Sequence, residues 1–135
     1  MSARPALFAL LLGASASSWG CGVCIEDRIA AVYDHAVVSR ALGAKHQVAF
    51  FHVDGPLAAD AGKSVAALAG SASGVDRGSA RVSAQSRTLS VAFDPRRTSF
   101  AQLQGLLERK LAPKGFSLLP LKLMERPAEW ADASR

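Results

Sequence analysis

Two cysteines, Cys21 and Cys24, stand three residues apart in the run Trp19-Gly20-Cys21-Gly22-Val23-Cys24. Thiols at i and i+3 at the start of a helix lie on one side of it, and the unpaired N–H groups and dipole there lower the thiol pKa. Such a pair suits a soft ion. Two thiolates satisfy Cu(I) in near-linear coordination, whereas Zn(II) prefers four ligands. The same geometry also closes a disulfide. A bridge across so short a loop removes little chain entropy and stabilises less than one closing a long loop. The metal reading is therefore favoured, with Cu(I) ahead of Zn(II). An interaction module with a Cys21–Cys24 disulfide and a thiol–disulfide exchanger stay open as alternatives.

The chain has three histidines. His35 follows Cys24 on nearly the same helical face but about 16 Å further along at roughly 1.5 Å per residue, too far to share an ion within one straight helix. His46 and His52 flank the first strand. Tyr33-Asp34-His35 resembles a catalytic grouping only in composition, because sequential helix neighbours point in different directions and no nucleophile stands beside them. The chain carries no Gly-rich phosphate loop, paired-carboxylate signature or HExxH motif, so no enzymatic chemistry is expected beyond the thiol–disulfide alternative.

The elements that must hold these residues are those of one domain. At 135 residues, 50% hydrophobic and 20% charged, the chain is too apolar for a disordered polymer and too short for a multi-domain enzyme. Residues 1–16 read as a secretory leader: a basic start at Arg4, an apolar run from Ala6 to Leu12 that is too short for a membrane span, and the small-x-small pattern of Ala14-Ser15-Ala16. A secreted or periplasmic location follows, with a lipoprotein acylated at Cys21 as the alternative. Membrane attachment is expected only in that case or if the leader is retained. Removing Arg4 leaves 15 Lys+Arg against 11 Asp+Glu, spread along the chain without interleaved aromatics, so no nucleic-acid partner is expected.

In residues 17–45 the steps between Ile25, Ile29, Val32, Ala36 and Val37 predict one amphipathic helix over 24–42, with Gly43 as its stop. Gln47 to Val53 is β-rich and ends at Asp54-Gly55-Pro56; Ala58 to Ala69 reads as a small-residue helix. Strands follow over 79–84 and 88–93, the second marked by the alternation of Leu89, Val91 and Phe93. Ser99-Phe100-Ala101-Gln102 fits a capping box, and the stripe Phe100, Leu103, Leu106, Leu107, Leu111 makes a helix closed by Pro113 and Gly115. Residues 116–124 are a last strand in which Pro120 predicts an edge or a bulge. The order β-α-β-β-α-β is the α+β ferredoxin-like plan, two helices over one face of a four-stranded antiparallel sheet. Residues 46–124 form that unit, and 125–135 a tail.

Residues 48–118 resemble a heavy-metal-associated (HMA) domain, the module of copper chaperones and metal-transport ATPases. The resemblance rests on the strand end Val53-Asp54-Gly55, a helix ending near Gly74-Val75, the strand exit Ser90-Val91-Ala92-Phe93-Asp94-Pro95 and a second helix ending before Gly115-Phe116. It implies metal binding and exchange with a metal donor or acceptor protein. Members carry the metal on an MxCxxC loop after the first strand's glycine; here that loop is Gly55-Pro56-Leu57-Ala58-Ala59-Asp60-Ala61, with alanine at both thiol positions, Ala58 and Ala61. Metal binding then falls to Cys21 and Cys24, with His52 as a third ligand if the added helix folds back over the loop. The open face of the sheet and the emptied loop are expected to serve as docking surface. The run from Trp19 to Cys24 also resembles the Trp-Cys-Gly-x-Cys of thioredoxins, with an extra glycine after Trp19 and no strand upstream.

Overall fold

A computed structural model describes residues 24–127; the leader, Cys21 and the end of the tail lie outside them. The first strand, β1 (Gln47–Asp54), is buried on both sides, as its continuous run of β-formers requires. It pairs antiparallel with β3 (Thr88–Phe93) from Gln47↔Phe93 to His52↔Thr88, and with β4 (Ser117–Met124) from Val48↔Met124 to Asp54↔Ser117. A three-residue β2 (Arg81–Ser83) completes the order β2-β3-β1-β4. Pro120 sits on the edge strand and beside a bulge: Phe50 faces Lys122 while Phe51 faces Pro120, so Leu121 is the extra residue.

The pleat sorts side chains to two faces. Ala49, Phe51 and Val53 of β1, with Leu89, Val91 and Phe93 of β3, meet α3 (Ala59–Gly70) and α4 (Phe100–Leu111) in the main core. Val65 and Ala69 of α3 and Leu103, Leu107 and Leu111 of α4 close it, and Phe51 stacks on Phe100 with ring centroids 5.7 Å apart. The capping box is present: Ser99 Oγ accepts from the Gln102 N–H at 3.2 Å and Gln102 Oε1 from the Ser99 N–H at 3.0 Å. A short 3-10 turn (Ala112–Lys114) and left-handed Gly115 end the helix, as Pro113 and Gly115 predict. The fold is the α+β ferredoxin-like plan expected from the element order.

The opposite face is covered too, which corrects the expectation of an open sheet surface. Val48, Phe50 and Ala92 are buried there under Ile29, Val32, Val37, Val38 and Ala41. These residues do not belong to the single helix predicted over 24–42: Ile29 lies in α1 (Ile25–Ala30), Val37, Val38 and Ala41 in α2 (His35–Gly43), and Val32 in the turn between them. The break is at Asp34, whose backbone is extended (φ −116°, ψ 109°) and whose carboxylate accepts from the Val37 N–H at 3.2 Å, an N-cap for α2. Arg81 on β2 holds the same carboxylate at 3.2 Å. The apolar stripe runs across the break because both helices press on one sheet face. Ile25 and Ala36, both in the predicted stripe, are exposed, and Val38 is buried instead.

Candidate metal-binding site

Cys24 occupies the residue before α1, and its carbonyl accepts from the Arg28 N–H at 3.1 Å. It is exposed, and Glu26 and Asp27 follow it in the first turn, as expected. One turn into the helix, the Arg28 guanidinium donates to His52 Nδ1 at 3.0 Å. This contact ties the start of α1 to the end of β1 that leads into Gly55. A guanidinium only donates, so His52 Nδ1 accepts, and the ring is neutral with its proton on Nε2. Burial holds the His52 pKa below its usual 6.5, the positive charges of Arg28 and Arg87 push the same way, and Asp54 opposes them weakly.

The loop after β1 is fixed by its backbone. Gly55 has φ +130°, and a Cβ there would stand 2.5 Å from the Gly115 carbonyl and 2.7 Å from the Phe116 ring, so only glycine fits. The Arg87 guanidinium donates to the Gly55 carbonyl and lies 3.8 Å from the Asp54 carboxylate. Leu57 is buried, while Ala58 precedes α3 and Ala61 lies in its first turn. Both thiol positions of the resembled loop are therefore at the start of a helix, and both are alanine.

Cys21 lies outside the described residues, so only the Cys24 half of the pair is placed. Among the described residues no three His, Cys, Asp or Glu side chains form a group able to hold a metal ion. His35 is exposed on α2, with Ser39 Oγ 3.4 Å from its Nε2. The Tyr33-Asp34-His35 grouping resolves into an exposed tyrosine, a helix cap and this surface histidine. Asp34 is held below the usual carboxylate range chiefly by the Val37 N–H, with Arg81 adding to it. His46 Nδ1 donates to Asp76 at 2.8 Å and its Nε2 lies 3.7 Å from Asp94, at the end of the sheet away from Gly55. Sequence reasoning missed Arg28 and Arg87 as neighbours of His52. The former is visible only as a cation one turn after Cys24, and the latter only as a residue in a tight strand connection.

The fold and the site together define a four-stranded ferredoxin-like domain with an added helical pair, whose first helix starts after Cys24 and is fastened by Arg28 to His52 near the end of β1. No protein-family model and no curated protein matches the chain. Among solved structures it is similar to a copper binding domain from HMA7, a P-type ATPase, at 23% identity over 57% of this chain and 96% of that one, with a TM-score of 0.48. It is also similar to the N-terminal domain of a potential copper-translocating P-type ATPase from Bacillus subtilis in the Cu(I)-loaded state, at 19% identity over 58% and 91% of the two chains, with a TM-score of 0.47. Among the described residues no helix is long and apolar enough to cross a membrane.

Proposed function

We propose that this chain is an exported, non-enzymatic Cu(I)-binding protein whose Cys21 and Cys24 thiolates hold the ion and pass it to or take it from a partner protein. The leader of residues 1–16 directs it out of the cytoplasm. The observation that supports the reading is the position of Cys24: exposed, at the start of a helix whose next turn is fastened through Arg28 to His52 near the end of β1. The donor set fits a soft monovalent ion. Two thiolates hold the ion, with His52 as an added nitrogen donor, and copper is cargo here: each Cu–S bond forms as a thiol gives up its proton and breaks when the ion passes on, with no change of oxidation state.

His52 is the third donor within this reading. Its Nδ1 accepts from Arg28 and its Nε2 carries the proton, so ligation through Nε2 requires that the proton move to Nδ1 and that the Arg28 contact break. X-ray absorption on the Cu(I)-loaded full chain tests the assignment. Two sulfur neighbours per copper are expected, both lost in Cys21→Ser/Cys24→Ser, and a nitrogen neighbour that disappears in His52→Ala. Copper surrounded only by oxygen and nitrogen would contradict the thiolate clip.

A further inference from the structure

A groove of about 460 Å³ lies at the opposite pole of the sheet from Gly55, between the first turns of α4 and the residues that follow α3. Arg97 and Arg109 both line it, together with Ser73, Thr98 and Gln102, and no carboxylate does. Their neighbour Arg96 is held by Asp94 at 3.1 Å, but among the described residues neither Arg97 nor Arg109 has an acidic partner. The Arg109 guanidinium folds back over Gly105, which lies in the middle of α4 at a helix-propensity cost of about 1 kcal/mol relative to alanine. A Cβ at Gly105 would touch that guanidinium at 3.6 Å.

The capping box decides what Gln102 offers. Its Oε1 is committed to the Ser99 N–H and Ser99 Oγ to the Gln102 N–H, so those two amides are occupied while the Gln102 Nε2, a pure donor, is left to the groove. The groove therefore combines two guanidiniums, an amide N–H₂ and the Ser73 hydroxyl with no competing acid, while the Thr98 hydroxyl donates to the Ser99 carbonyl at 3.4 Å. That set matches a tetrahedral dianion, whose several acceptor oxygens take donors from different directions. Ala101 and Leu106 add apolar wall, and the volume is that of a small-ligand site.

We infer that this groove binds a small phosphate monoester, its phosphate between Arg97 and Arg109 and its organic part on Ala101 and Leu106. The site is independent of the copper reading, being built from other residues at the other end of the sheet. The test is an NMR titration of the ¹⁵N-labelled full chain with inorganic phosphate and with phenyl phosphate, at constant ionic strength against chloride.

Saturable shifts confined to Ser73, Thr98, Gln102 and the two arginine side chains are expected, with phenyl phosphate the tighter ligand. Arg97→Gln/Arg109→Gln weakens binding at least tenfold. So does Gln102→Glu, which keeps the capping box, since Glu serves equally at that position, while replacing a donor by a charge of the wrong sign. Dispersed spectra report that each variant is folded. Non-saturating shifts spread over all the basic residues, or an affinity unchanged in either variant, overturn the site; equal or weaker binding of phenyl phosphate overturns the organic part.

Discussion

His52 shows how one residue's surroundings set its chemistry. A histidine beside Asp54 in sequence would be expected to gain proton affinity, yet burial and the two arginines outweigh that carboxylate. Because its folded pKa lies below 6.5, the unfolded chain binds the proton more readily. The neutral ring's contribution to stability is full above about pH 6.5 and is lost as the pH falls through that value toward the folded pKa. Urea unfolding between pH 7.5 and 5 is expected to show stability falling with acid, and His52→Gln is expected to flatten that slope over the same window. An identical slope in the variant would mean that the proton is taken up elsewhere. One contact that adds to the effect of burial, Arg28 to His52 over 24 residues, carries no local signal in the sequence.

At the scale of elements, reach and punctuation decided what was legible. The predicted 88–93 strand coincides with β3, and the predicted Ser99/Gln102 box is made in both directions, because each rests on side chains a few residues apart. Ser99→Ala is accordingly expected to cost about 1 kcal/mol, the usual worth of an N-cap hydroxyl, lowering the unfolding midpoint without changing the spectrum of the folded state. No change in midpoint would show the box to be unneeded. The helix over 24–42 was misread at Asp34 for a physical reason: apolar periodicity records which face is buried, not whether the backbone is continuous. Asp34 is a strong cap, but Tyr33-Asp34-His35 offers no proline or glycine to mark the break. The strand over 79–84 is shorter than expected because only Arg81–Ser83 finds a partner, opposite Thr88–Ser90.

For the whole molecule, the order of strands and helices was enough to give the sheet and the core beneath α3 and α4. What the sequence does not carry is the third layer. The apolar stripe of residues 25–41 requires a surface to cover, and Val48, Phe50 and Ala92 require a cover, but only the folded chain shows that these two needs meet. That layer removes the sheet face as a docking surface and fastens the helix that starts after Cys24 to the end of β1 through Arg28 and His52. The candidate site was thus legible as a pair of cysteines and illegible as a place. Export, the Cys21 half of the clip and the partner remain part of the proposal, and all of them matter only if the clip binds copper. The direct measurement is anaerobic Cu(I) competition against a chelator, comparing the full chain with its Cys21→Ser/Cys24→Ser variant. One tightly bound ion per chain, lost in the variant, is the predicted result; equal and weak binding by both proteins would contradict the account.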